Sequence, residues 1–308
     1  MRKIKLALVG VGKIARDQHL PVLAASEDFE LIACASRNAR VDGMRNYPNL
    51  RALIAAEPEL DAVSLCTPPA ARDADARLAL ARGLHVLLEK PPGATLGAAR
   101  ALARAATRAV LNASWHSRHA PALARARDWL HDQRLKSVAI RWREDIRVWH
   151  PGQDWILDAG GMGVFDPGIN ALSILTTLVP GPLVVGAAEL GVPHGREAPL
   201  TAHLCLQAPE GLTIDVDLSF LEPGQPHWTI DFVTEAGVMR LIDGGARLSI
   251  EGVETPLASD AHFEYRRVYG RFAESIRSGE SDFDLTPLEI VADAFTIAKR
   301  WSLAPFQF

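Results

Sequence analysis

Residues 4–15, Ile4-Lys5-Leu6-Ala7-Leu8-Val9-Gly10-Val11-Gly12-Lys13-Ile14-Ala15, decide how the chain is read. Ile4–Val9 is a nearly unbroken apolar run, as expected of a strand covered on both faces in a parallel sheet. Gly10-Val11-Gly12 follows at once, and helix-compatible sequence begins at Ile14, with Pro21 expected in its first turns or at a break. A Gly-x-Gly at a strand-to-helix turn lets backbone approach a pyrophosphate, which then lies at the positive end of the next helix. Ala15 stands where the third glycine of such loops falls, small enough for helix to meet strand. A glycine turn by itself ends many strands. Its place on the first strand of an alternating pattern makes it a dinucleotide loop.

Working outward, strand-like runs at 29–35, 62–66, 85–88 and 109–114 alternate with helical stretches at 70–82 and after Thr95. That alternation implies a parallel sheet with helices on both faces. Beyond about residue 118 the texture changes: strands are expected at 137–147, 183–190, 200–206, 211–220, 228–234, 238–242 and 247–250. Helices are expected at 122–131, 166–178 and 286–301, and Asp243-Gly244-Gly245 reads as a tight hairpin. The fold class is therefore α/β: a dinucleotide-binding domain with a parallel sheet over 1–118, then an α+β domain over 119–308 with a largely antiparallel sheet.

The composition is that of an ordinary globular protein: 308 residues, 48% apolar and 23% charged, enough to bury two cores. A formal charge of −4 gives no bulk attraction to nucleic acid or to an anionic membrane. No apolar run approaches the roughly 18 residues of a membrane span. Strand sequence starting within a few residues of Met1 leaves no room for a signal peptide. Cys34, Cys66 and Cys205 are far apart and odd in number, which argues against a disulfide framework and for a reducing cytoplasm. No His/Cys/Asp/Glu set has zinc-ligand spacing, so no metal is expected. No Gly-x-Ser-x-Gly elbow occurs either, which removes a serine hydrolase.

The second strand ends Ala33-Cys34-Ala35-Ser36-Arg37, without the carboxylate that an NAD-preferring site usually places there. Ser36 can donate to a 2′-phosphate, and Arg37 can pair with it and stack on adenine. NADP is the expected cofactor, with NAD as a second choice. Glu89-Lys90-Pro91-Pro92 ends a strand on the same edge as the glycine loop, so Lys90 should reach the cofactor crevice, where a partly buried lysine can move protons. An ion pair with Glu89 is the plainer reading, but neighbours on a strand face opposite ways.

Taken together, Gly10-Val11-Gly12-Lys13-Ile14-Ala15, Cys66-Thr67-Pro68-Pro69 and Glu89-Lys90-Pro91-Pro92 resemble the glucose–fructose oxidoreductase / inositol dehydrogenase (Gfo/Idh/MocA) family. Lys13 to His19, Trp115-His116-Ser117-Arg118, Trp149-His150-Pro151-Gly152-Gln153 and Gly163-Val164-Phe165-Asp166-Pro167-Gly168-Ile169-Asn170 are similar to its sugar 1-dehydrogenases acting on L-arabinose and D-galactose. The resemblance implies a Rossmann NAD(P)-binding domain followed by a substrate-binding domain with an open sheet, and oxidation of the anomeric C1 hydroxyl of an aldose to a lactone. It implies cofactor contacts at Gly10, Gly12, Lys13, Ile14, Ser36, Arg37, Cys66, Thr67, Pro68, Glu89 and Lys90. Many members carry Asp-x-x-x-His on the helix lining the pocket, whereas this chain has Asp166 and Asn170, one turn apart on one helix face. Asn exchanges no proton, so Lys90 with Asp166 must carry it while Asn170 orients the sugar.

A pyranose needs polar groups for its hydroxyls and an aromatic surface for its C–H face. By analogy with the subgroup, His116, Glu144 and His150 supply the first, and Trp149 and Trp228 the second. An exposed face of the C-terminal sheet often dimerises in this family, which implies a homo-oligomer. Two alternatives remain: an inositol-type or other sugar-derivative dehydrogenase on the same scaffold, and a non-catalytic dinucleotide sensor, since fold does not dictate chemistry.

Overall fold

The structure is a computed structural model that describes residues 2–308. Two compact units divide the chain: Met1–His116 with Ala261–Leu285, and Ser117–Asp260 with Thr286–Phe308.

The first unit is built on six parallel strands, β1 (Ile4–Val9), β2 (Phe29–Ala35), β3 (Arg45–Tyr47), β4 (Ala62–Leu65), β5 (His85–Glu89) and β6 (Leu111–Ser114), in the order β3-β2-β1-β4-β5-β6. The order reverses between β1 and β4, the point where ligands bind in open α/β sheets. Because all six strands run the same way, Gly10, Ser36, Cys66, Lys90 and Trp115 all follow carboxyl ends on one edge. Two apolar layers cover the sheet. One joins Val9, Val63, Val86 and Leu111 to the helices Leu50–Ala56 and Pro69–Ala81. The other joins Leu6, Phe29, Leu87 and Val110 to Tyr265, Val268, Tyr269 and Phe272.

That second layer corrects the domain division read from the sequence. A single boundary at 118, with 119–308 as one domain, cannot express it: the helix Phe263–Ser278 belongs to the first unit. Its Tyr265, Val268, Tyr269, Phe272 and Ala273 share one face at helical spacing and are buried on the parallel sheet, with Phe272 stacked on Phe29 at 5.7 Å and Tyr269 edge-on to it at 5.5 Å. Gly279, in a left-handed conformation (φ 76°), closes the helix by donating its N–H to Ser275 O at 2.9 Å.

The second unit carries nine strands: β7 (Leu135–Arg143), β8 (Val184–Pro193), β9 (Thr201–Gln207), β10 (Thr213–Ser219), β11 (His227–Thr234), β12 (Val238–Ile242), β13 (Arg247–Ile250), β14 (Val253–Thr255) and β15 (Lys299–Leu303). Their order is β14-β13-β12-β11-β7-β10-β9-β8-β15. The pairs β10–β7 and β15–β8 are parallel and the rest antiparallel. The sheet is mixed, mostly antiparallel, as the α+β reading expected. Along β7, Val138, Ile140 and Trp142 are buried while Ala139, Arg141 and Arg143 alternate outward. The helix expected over 286–301 stops at Ile297, and Lys299–Leu303 forms an edge strand instead. Gly191 on β8 leaves room for that strand, since a Cβ there would meet Trp301 Cζ2 at 3.0 Å and Leu303 Cδ1 at 3.1 Å. Among the described residues no helix is long and apolar enough to cross a membrane.

Candidate active site

In the first unit the glycine loop is shaped by a close approach. Gly10 has φ 91°, and a Cβ on it would meet Thr67 N at 2.8 Å and Thr67 Cγ2 at 2.9 Å. Only glycine tolerates both demands. A Cβ on Gly12 would meet nothing within 4 Å, so this side of the loop is open. Thr67 Oγ1 is buried without a hydrogen-bond partner among the described residues, and so is Ser114 Oγ at the end of β6. An open glycine backbone with orphaned hydroxyls on the same sheet edge fits a dinucleotide, whose phosphates and amide supply acceptors and donors.

After the loop the chain makes one wide turn, Ala15–His19, and then a helix Leu20–Ala24 with Pro21 in its first turn. The wide turn carries His19 inward, fully buried, while Lys13 stays exposed and pairs with Asp17. Ser36 follows β2 and donates its N–H to Tyr47 O at 3.0 Å, and Arg37 is exposed beyond it. The next loop is held by Asn46, whose side chain bonds Val41 N and O and Met44 O at 2.7–2.9 Å.

Lys90 is half-buried after β5, in a cis peptide bond with Pro91. Beneath it lies a set of polar side chains that the sequence reading did not bring together. Glu89 Oε1 accepts from His19 Nε2 at 3.0 Å and from Tyr265 OH at 2.9 Å, and its Oε2 accepts from Lys90 N at 3.0 Å. His19 Nδ1 lies 2.7 Å from Tyr269 OH, which donates on to Ser64 Oγ at 3.2 Å. Burial opposes charge on Glu89, but the hydrogen bond and charge of His19, with His116 and Arg72 behind, hold its carboxyl well below the usual range. Burial likewise opposes a charged His19, yet Cys66, Tyr269 and Glu89 together keep it well above its ordinary value. Burial and then the Glu89 charge push the Tyr265 phenol well up. Both ring nitrogens of His19 are therefore engaged, Nε2 with Glu89 and Nδ1 with Tyr269. Arg72, 3% exposed on the helix Pro69–Ala81, donates to Thr67 O at 2.7 Å, to Pro91 O at 2.9 Å and to Glu89 O. His116 also lies in the first unit, 2.5 Å from Glu264 Oε2 and stacked on Tyr265 at 5.3 Å.

The second unit gathers the other expected residues in two places. β7 ends at Arg143, earlier than the expected 147, because Asp145 caps a single helical turn, Ile146–Trp149, by accepting Arg147 N at 2.9 Å. That turn brings Trp149 and His150 over the neighbouring strand. Glu144, 2% exposed, accepts Trp228 Nε1 at 2.8 Å and lies 3.2 Å from His150 Nε2. Trp149 and Trp228 are 4.7 Å apart, and Trp142 stacks behind Trp228 at 5.6 Å. Asp166 and Asn170 occupy the first turns of the helix Phe165–Leu178, Asp166 buried and Asn170 half-buried. Gly168 between them permits this seat: a Cβ there would meet Leu218 Cδ1 of β10 at 2.6 Å.

Comparison with known proteins agrees with this architecture. Residues 4–114 match the model of the oxidoreductase family with an NAD-binding Rossmann fold, Gfo/Idh/MocA. The chain is 44% identical to galactose 1-dehydrogenase of Pseudomonas fluorescens over 306 residues, 99% of each chain. It is 48% identical to a solved D-galactose-1-dehydrogenase of Rhizobium etli, with a TM-score of 0.95 over 100% of this chain and 99% of that one. At 20% identity, a 3-ketoreductase of Actinomadura kijaniata solved with NADP shares the fold, with a TM-score of 0.83 over 98% of this chain and 100% of that one. The chain belongs to the Gfo/Idh/MocA family of NAD(P)-binding oxidoreductases.

Proposed function

We propose that the protein is an aldose 1-dehydrogenase that prefers NADP and oxidises the C1 hydroxyl of D-galactose or L-arabinose to the lactone. The observation that carries this reading is full-length similarity, at 44–48% identity, to two galactose 1-dehydrogenases. When bound, the nicotinamide accepts the C1 hydride. Gly10 and Gly12 admit the pyrophosphate, with Lys13, Ile14, Cys66, Thr67, Pro68 and Glu89 around it. Ser36 and Arg37 hold the 2′-phosphate. Lys90 takes the hydroxyl proton, with Asp166 as its relay, and Asn170 orients the ring. Glu144, His116 and His150 read hydroxyls, while Trp149 and Trp228 cover the C–H face.

L-Arabinose and D-galactose agree from C1 to C4 and differ by the hydroxymethyl group on C5, so a site reading those hydroxyls takes both. D-Glucose, inverted at C4, leaves polar groups unpaired at about 1–3 kcal/mol each. Initial rates of nicotinamide reduction with these aldoses and both cofactors test the reading. Glucose is expected more than about tenfold below galactose in kcat/KM. No reduction with any sugar would favour a dinucleotide sensor. Lys90→Ala is expected to lower turnover on the order of 10²-fold or more. Arg37→Ala is expected to raise KM for NADP far more than for NAD, by about 1.5–3 kcal/mol.

The outward face of the second sheet carries matched charges, with Arg141 2.7 Å and His203 2.7 Å from Asp215. This face is proposed to pair two copies of the chain in the cytoplasm, a mass measurable by light scattering.

A further inference from the structure

Lys90 stands on a frame that holds its backbone from both sides. Its N–H donates to Glu89 Oε2 at 3.0 Å, while the carbonyls of Glu89 and Pro91, before and after it, accept from Arg72. The same guanidinium takes Thr67 O at 2.7 Å, so the loop facing Gly10 and the loop bearing Lys90 share one clamp. The remaining Glu89 oxygen is fixed by His19 and Tyr265, which come from the wide turn after the glycine loop and from the returning helix Phe263–Ser278. A lysine amine ends a flexible stem of four carbons, so its reach is set only as well as its Cα is set.

We propose, resting on the reading of Lys90 as proton acceptor, that Glu89, His19, Tyr265 and Arg72 are positioning residues that fix Lys90 relative to the cofactor loop. Stability alone does not call for such a set. Well-packed apolar side chains would serve a core as well or better than a buried ion pair. Nor does stability require a carboxylate oxygen turned to the N–H of the lysine, or one arginine bridging two loops.

Two variants test the frame. Tyr265→Phe removes one hydroxyl and keeps the ring, and it is expected to lower kcat about tenfold. Glu89→Gln keeps the shape but turns an NH2 donor either to His19 and Tyr265 or to the N–H of Lys90, and it is expected to lower kcat on the order of 10²-fold, the cost of about 1 Å of misplacement. KM for the sugar is expected to stay as in the parent protein. A second readout needs neither cofactor nor sugar. Among the six lysines, the rate at which acetic anhydride modifies Lys90, followed by peptide mass spectrometry, should change severalfold in Glu89→Gln while Lys13 and Lys136 keep theirs. Unchanged kcat and unchanged Lys90 labelling in both variants would overturn the frame, as would losses in kcat matched by equal losses in KM and unfolding midpoint. Should Glu89→Gln not fold, Tyr265→Phe decides by both measurements. Failure of the parent protein to oxidise any sugar would count against the proposed function instead, and the labelling comparison would still decide the frame.

Discussion

Glu89 and Glu144 are buried to nearly the same degree, 4% and 2% exposed, and each meets a histidine and an aromatic donor. Their surroundings then diverge. Around Glu89, His19 is 0%, Tyr265 4% and Tyr269 2% exposed, and chains of hydrogen bonds close on Ser64 and on the backbone of Lys90. Around Glu144, Trp149 is 41% exposed, and Trp228 and His150 are half-buried. The same pairing of groups therefore does different work. A carboxylate whose partners are sealed holds its own chain in place, while one whose partners reach the surface can present them to a ligand.

The largest expected difference lies in stability. Glu89→Ala removes the buried acceptor shared by His19, Tyr265 and the N–H of Lys90 and should cost about 3–5 kcal/mol in urea unfolding. Glu144→Ala, whose partners can turn to water, should cost less than half of that; equal losses would erase the distinction. Next comes activity. Glu144→Ala is expected to lower kcat/KM for galactose and arabinose together, by roughly 10- to 100-fold, without swapping their order and without changing KM for the cofactor. A smaller effect belongs to Tyr269→Phe, about 1 kcal/mol, because Ser64 and His19 each lose a partner while the ring stays packed on Phe29.

The mildest probe changes no residue. His19 is held above its ordinary value near 6.5, so its contribution to stability is complete below that pH and is lost as pH rises through the raised value. Glu89 is held below the ordinary carboxyl value near 4.3, so its contribution is present above that pH and is lost only as pH falls through the depressed value. Both are complete between about pH 4.3 and 6.5. Urea midpoints should decline on the alkaline side in the parent protein, and the decline should be shallower in His19→Gln; parallel curves would mean that another group is responsible.

The parts of the molecule most legible in the sequence are those that depend on near neighbours. Ile4–Val9 and Phe29–Ala35 are read to the residue because strands covered on both faces are written as apolar runs. The placing of Gly10, Ser36, Cys66 and Lys90 on one sheet edge follows from strand–helix alternation. What distant partners decide is not legible. The helix Phe263–Ser278 has its apolar positions at 265, 268, 269, 272 and 273, yet nothing local tells that they pack on β1 and β2. Glu89 meets His19 and Tyr265 from segments 70 and 176 positions away, and no spacing rule joins them. Glu144 and Trp228 meet because His227 and Trp228 pair with Arg143 and Trp142 in register, which only the folded sheet sets.

The return of Ala261–Leu285 to the first unit has a consequence for how the protein is made. On the ribosome, residues 1–116 emerge first, but one face of their sheet, with Leu6, Phe29, Leu87 and Val110, has only Val22 and Leu23 of the short helix Leu20–Ala24 against it until the helix Phe263–Ser278 arrives. At about 5–20 residues per second that wait is on the order of ten seconds, long for an apolar face left in water. Tyr265 and Tyr269 arrive with the same helix, so the nascent cofactor unit completes its polar interior only after most of the second unit has been translated. A stop codon after residue 260 would spare every residue from 1 to 116 and still leave that unit unfinished.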